Sequence, residues 1–158
     1  MYKAYFIDLD GTMYKGKERI PTAEVFIKRL QEANIPFLFV TNNATKTPEQ
    51  VAQNLRENYG TNVEAAEVYT SGVAAVDYIK SHYPVERIMV IGEEAIKNQV
   101  KAAGFTLDSE NPELVLQSLD RNVTYKDLEK ATLAIRGGAT YIVTNIDSNL
   151  PSEKGPVP

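Results

Sequence analysis

Cysteine is absent from these 158 residues, so neither a disulfide nor a thiolate nucleophile is available. Histidine occurs once, at His82, and no Ser-His-Asp or Cys-His set can be assembled around it. His82 closes an amphipathic stretch just before Pro84, where a helix C-terminal residue that complements the dipole is the expected role. No apolar run is long enough to cross a bilayer, and no basic segment followed by an apolar core opens the chain. The expectation is a cytoplasmic protein with no membrane partner, in which the Asn-x-Thr triplets at Asn43 and Asn122 carry no weight. Positive charge is also in short supply, with 17 Lys and Arg against 21 Asp and Glu for a net charge of −4. That balance argues against nucleic acid and would repel an anionic substrate at long range. A site for an anion would therefore draw its positive potential locally, from a cation or from backbone amides.

What is present is a globular composition, 43% apolar and 24% charged. The chain's most specific stretch comes early: Tyr5-Phe6-Ile7-Asp8-Leu9-Asp10-Gly11-Thr12, an apolar run ending in two carboxylates, a glycine and a hydroxyl. A strand here places Asp8 and Asp10 on one side, about 6–7 Å apart along the chain at ~3.3 Å per residue, at the strand end where α/β proteins bind ligands. Gly11 allows a sharp turn and a close approach to an anion, and Thr12 adds a hydroxyl and an amide. A helix-loop-helix calcium site would need other residues at Thr12, Met13 and Arg19. The metal-binding Asp-x-Asp of a sugar-nucleotide transferase needs a nucleotide-binding unit ahead of it. A simple strand-to-turn junction fits Asp and Gly on turn chemistry alone and stays open at this point.

Phe37-Leu38-Phe39-Val40-Thr41-Asn42-Asn43 is a second apolar strand that stops at small polar donors. Between the two, Pro21 to Ala33 has helical spacing, with Glu24 early and Lys28 and Arg29 late. Strand, helix and strand make a right-handed crossover on a parallel sheet, which brings Asp8, Asp10 and Thr41 to one crevice. Farther on, Thr47-Pro48-Glu49-Gln50 starts a helix that runs to Gly60, and Val68 to Thr70 reads as a strand. Helices follow over Val73 to His82, Glu93 to Ala103 and Thr124 to Arg136, and strands over Arg87 to Ile91, Leu114 to Leu119 and Thr140 to Thr144. Gly104 and the Gly137-Gly138 pair close two of the helices, and a polar, proline-bearing tail runs from Asn145 to Pro158. The charged stretches Lys97 to Lys101 and Lys126 to Lys130 read as solvated helix faces.

Asp8-Leu9-Asp10-Gly11-Thr12 resembles the first motif of the haloacid dehalogenase superfamily of phosphatases, and Val40-Thr41-Asn42-Asn43 resembles the second motif of its NagD-like, nitrophenylphosphatase-type branch. Tyr69-Thr70-Ser71, Leu119-Asp120, Thr124-Tyr125, Ala131 to Arg136 and Thr144-Asn145-Ile146-Asp147 fall in the order that branch uses, so the likeness covers essentially the whole chain. The resemblance implies a Rossmann-like α/β core interrupted by an α/β cap of the C2 type. With a hinge at Ser81-His82-Tyr83-Pro84, residues 1–83 would be the first part of the core and residues 84–158 the cap and its return linker. It also implies an Mg²⁺-dependent phosphomonoester hydrolase for small phosphorylated metabolites, sugar phosphates or nucleotides, with a homo-oligomer as an allowed state. Asp8 would be nucleophile and metal ligand, and Asp10 general acid and base as well as ligand through its backbone carbonyl. Leu9, Asp10, Thr41 and Asn42 would hold the phosphoryl oxygens, and Asp120, Asn145 and Asp147 are candidates for contacting the leaving group. The implied lysine and acidic motifs beyond the cap, with the third metal carboxylate, are not among these residues, and Lys154 is no substitute. The expectation is thus a fragment of the enzyme or, alternatively, an inactive phosphate-binding module. Ser118 stands where related sequences tend to carry glycine, a departure that touches cap geometry and not the chemistry.

Overall fold

A computed structural model describes residues 2–147 and Gly155. They fall into two compact units, one built on residues 2–41 and Pro48–Tyr69 with Ile146 and Asp147, the other on Asn42–Thr47 and Thr70–Asn145.

The first unit begins with strand β1 (Tyr5–Asp8) and a small hairpin of β2 (Tyr14–Lys15) and β3 (Glu18–Arg19). Helix α1 (Pro21–Glu32), strand β4 (Phe37–Thr41), helix α2 (Pro48–Tyr59), a 3-10 turn at Ala65–Glu67 and strand β5 (Val68–Thr70) follow. α1 forms where proline sits in its first turn, Glu24 near its start and Arg29 near its end, and it buries Ile27 and Leu30. Its exit is turned by Asn34, at φ 50°, the left-handed conformation that asparagine tolerates. The crossover brings β4 back parallel to β1 in the register Tyr5↔Phe37 through Asp8↔Val40, and the sheet order is β1-β4-β5. Ile7, Leu9, Met13, Phe39, Leu55 and Val63 fill the core on one side of this sheet. On the other side Phe6 is 80% exposed and Val40 37%.

The second unit contains α3 (Ser71–His82), β6 (Arg87–Ile91), α4 (Glu94–Ala102), β7 (Thr106–Leu107), β8 (Leu114–Gln117), α5 (Tyr125–Arg136) and β9 (Thr140–Val143). Its four strands are all parallel, in the order β7-β6-β8-β9. Ile88, Leu114 and Leu116 pack with Ile79, Ile96 and Val100 on one face, and Met89, Ile91 and Val115 with Ala131 on the other. Burial on both faces is why these strands read as continuous apolar runs. The chain leaves β6 toward β7 and returns to its opposite side at β8, so the strand order reverses between β6 and β8.

The α/β class with parallel sheets is as expected, and the differences are local. α3 starts at Ser71, not Val73, because the Thr70 side chain accepts the Val73 N–H at 3.2 Å and caps the helix two residues earlier. β8 ends at Gln117, not Leu119, and β9 at Val143, not Thr144. The pairs of residues in β2, β3 and β7 are too short for a periodicity to betray them. Lys154 and the rest of the proline-bearing tail beyond Asp147, Gly155 apart, lie outside the described residues.

Candidate functional site

β1 ends at Asp8, and the chain turns at once. The Leu9 carbonyl accepts the N–H groups of Thr12 at 3.2 Å, Met13 at 2.9 Å and Tyr14 at 3.4 Å, and the Gly11 N–H donates to the Tyr14 carbonyl at 2.7 Å. Gly11 has φ 82°, so the turn depends on a residue without a Cβ penalty in the left-handed region. Leu9 and Met13 are anchored in the core at 1% and 0% exposure. Asp8, Asp10, Gly11 and Thr12 are exposed around them. A buried anchor between two exposed carboxylates is what pins the acids at the strand end.

Tyr14 joins this cluster. Its ring stacks on Tyr59 with centroids 4.7 Å apart. Burial first, then the charges of Asp10, Tyr59 and Asp8, push its phenol well above the usual tyrosine range. The phenol therefore stays neutral within electrostatic reach of both carboxylates. The sequence carries only a weak signal for it, an aromatic residue two positions after Thr12.

Thr41, the last residue of β4, is buried at 3% exposure, one position beyond Val40, the ladder partner of Asp8. Asp8 and Thr41 thus share the carboxyl edge of two adjacent parallel strands in the first unit. Beyond Thr41 the loop Asn42–Thr47 belongs to the second unit. There the Asn43 Oδ1 accepts the Thr45 N–H at 2.8 Å and the Thr45 hydroxyl at 2.7 Å, an Asx turn that gives the loop its shape. The Asn42 carbonyl accepts from the Ser71 hydroxyl at 2.6 Å and from Nδ2 of Asn145 at 3.3 Å. Ser71 appeared in the sequence only as part of a resemblance, and nothing in its surroundings pointed to this contact.

Asp120 lies just past the end of β8 beside the strand-order reversal, with Glu93, Arg121 and Asp127 around a cavity of about 640 Å³. Its Oδ1 accepts the Asn122 N–H at 2.9 Å, the local turn that aspartate makes at strand ends, and Arg121 reaches across to Glu93 at 2.5 Å. Asn145 is half-buried after β9, and Asp147 is exposed and belongs to the first unit. The structure thus groups Asp8, Leu9, Asp10 and Thr41 in one unit, and Asn42 with Asn145 in the other. His82, the last residue of α3, stacks on Tyr78 at 4.2 Å and its Nδ1 meets the Tyr78 carbonyl at 2.9 Å, a helix-end role.

The donors at the motif, the Asp8 carboxylate and the Asp10 carbonyl, are hard oxygens of the kind Mg²⁺ takes. They fit that ion in kind and supply two positions; among the described residues no group of three acidic or histidine side chains converges.

The model of the haloacid dehalogenase-like hydrolases matches residues 5–106. An acid sugar phosphatase of Staphylococcus epidermidis is 46% identical over 99% of this chain and 61% of its own length, and one of Staphylococcus aureus is 44% identical over the same shares. The chain thus spans about 61% of the length of these curated relatives. Among solved structures, the double-mutant thermostable NPPase of Geobacillus stearothermophilus superposes with a TM-score of 0.93 at 44% identity, over 99% of this chain and 62% of that one. The 4-nitrophenylphosphatase of Thermotoga maritima does so with a TM-score of 0.91 at 35% identity, over 99% and 59%.

Proposed function

The chain belongs to the haloacid dehalogenase-like hydrolases, in the NagD-like, p-nitrophenyl phosphatase branch, and from that premise we propose that it serves a cytoplasmic phosphomonoester hydrolase acting on small organophosphates. The observation that carries this reading is Asp8 at the carboxyl end of β1, beside Thr41 on β4 and followed by the Gly11 turn that presents Asp10. Sugar phosphates are the favoured substrates, because the relatives from two staphylococci are acid sugar phosphatases.

An Asp8 carboxylate oxygen attacks phosphorus in line while the bond to the leaving oxygen breaks, and Asp10 gives that oxygen its proton. The aspartyl phosphate is then attacked by water, whose proton returns to Asp10, freeing Asp8 and inorganic phosphate. Thr41 and the amides of Leu9, Asp10 and Asn42 hold the phosphoryl oxygens where charge develops. Asp8 and the Asp10 carbonyl would hold Mg²⁺, which when bound supplies the positive charge that an acidic protein otherwise lacks at the phosphoryl group. Residues 84–158 act as the inserted cap and its return linker, with Asp120, Asn145 and Asp147 as candidates for the leaving group.

The test is turnover by the protein as its gene encodes it. Asp8→Asn should abolish hydrolysis of every ester, since an amide is a poor nucleophile. Asp10→Asn should slow sugar phosphates by roughly 10²–10⁴ and nitrophenyl phosphate by less, because nitrophenolate leaves without a proton. Equal losses on both esters would remove Asp10 from the acid role, and full activity in Asp8→Asn would end the proposal.

A further inference from the structure

The Asn42 carbonyl lies where the second-motif loop begins, and two side chains from distant parts of the second unit converge on it. The Ser71 hydroxyl reaches it at 2.6 Å from the first turn of α3, and Nδ2 of Asn145 at 3.3 Å from the segment after β9, 103 residues along the chain. A carbonyl oxygen has two lone pairs, and these two donors occupy both acceptor positions. Next to Ser71, the buried Gly72 packs at the same loop: a Cβ built there would lie 3.5 Å from the Ala44 side chain, an ordinary contact distance. The other side of the loop is held by the Asn43 Asx turn, so the peptide between Asn42 and Asn43 is fixed from both ends.

We propose that Ser71 and Asn145 are positioning residues: by holding the Asn42 carbonyl they keep the start of the loop in place, so that the backbone N–H of Asn42 stays aimed as an anion donor. Backbone amides aimed in advance cost no reorganisation when charge builds on a phosphoryl oxygen. This inference rests on the phosphatase reading and adds two things to it, a role for Ser71 and a role for Asn145 other than contact with the leaving group. It makes the segment that closes the second unit a control on phosphate affinity, common to all substrates.

The experiment uses the protein as its gene encodes it and compares Ser71→Ala, Ser71→Thr, Asn145→Ala and Asn145→Asp with the parent. Three readouts are taken: inhibition by inorganic phosphate, kcat/KM on several esters, and hydrogen exchange over residues 42–47. Removal of either donor should weaken phosphate inhibition and lower kcat/KM for every ester by a common factor of roughly three to ten, the worth of one net hydrogen bond, and should speed exchange in the loop. Ser71→Thr, which keeps the hydroxyl, should restore the parent's behaviour. Asn145→Asp should not, because a carboxylate donates nothing to a carbonyl. Variants that leave phosphate inhibition unchanged, or that alter only the ranking of esters, overturn the proposal and return Asn145 to the leaving group. Unchanged loop exchange in both alanine variants overturns it as well. A parent that neither turns over any ester nor binds phosphate fails at the functional reading, before any variant is compared, and takes this proposal with it.

Discussion

Tyr14 shows how one residue gains a property from neighbours that its sequence position does not announce. Desolvation of the phenol outweighs the rest, and the negative charges of Asp10 and Asp8 act in the same direction, so ionisation is opposed twice. The linkage follows from the raised folded value. Below the ordinary tyrosine range, about pH 10, the phenol is neutral whether the chain is folded or not, and its stabilising contribution is fully present. Above it the unfolded chain ionises Tyr14 while the folded chain does not, so stability falls as pH rises. Urea denaturation between pH 8 and 11 should show this decline, and Tyr14→Phe should flatten it. An unaltered alkaline slope in Tyr14→Phe would mean that the decline comes from other tyrosines. At the same scale Gly11 was legible from its place in the motif, whereas Ser71 was not, because a serine after a strand has many local uses and its partner lies 29 residues away.

Elements followed local chemistry where that chemistry was complete. α5 is the clearest case. Thr124 accepts the Asp127 N–H at 3.3 Å, and Asp127 Oδ2 accepts both the Thr124 N–H at 2.9 Å and the Thr124 hydroxyl at 2.6 Å, a reciprocal cap readable from residues three apart. Thr124→Ala should cost about 1 kcal/mol in chemical denaturation at pH 7. The Thr124 hydroxyl, then its N–H, hold the Asp127 carboxyl below the usual aspartate range. A lowered folded value means that this part of the cap is complete above about pH 4 and is lost as pH falls through it. The gap between parent and Thr124→Ala should accordingly narrow in acid, and a constant gap down to pH 2.5 would remove Asp127 from the cap. β2, β3 and β7 leave no mark in the sequence for the opposite reason, since two residues of strand carry no period and their pairing is made by the chain around them.

In the molecule as a whole the two faces of the β1-β4-β5 sheet differ sharply. Phe39 is fully buried with Ile7 and Leu55, whereas Phe6 is 80% exposed although it sits in an equally apolar strand. A parallel sheet is ordinarily covered on both sides. Phe39→Ala in the 158-residue chain should therefore destabilise it by about 3–5 kcal/mol, while Phe6→Ser should stay within about 0.5 kcal/mol. Urea midpoints followed by circular dichroism decide the matter, and a Phe6→Ser loss as large as that of Phe39→Ala would mean that something covers this face in solution.

The residues alone determined the alternation of strands and helices, the placing of two acids at a strand end ahead of a glycine turn, and the kinship with phosphatases, because each depends on neighbours within a few positions. Periodicity sets which face a side chain takes, glycine sets where the backbone can reverse, and short polar residues set where a strand stops. Tertiary structure alone decided that Phe39 is enclosed and Phe6 is not, that Tyr14 stacks on Tyr59, and that Ser71 and Asn145 meet on one carbonyl. Those outcomes depend on which distant segments cross one another, and a crossing over 103 residues leaves no local pattern in the chain that makes it.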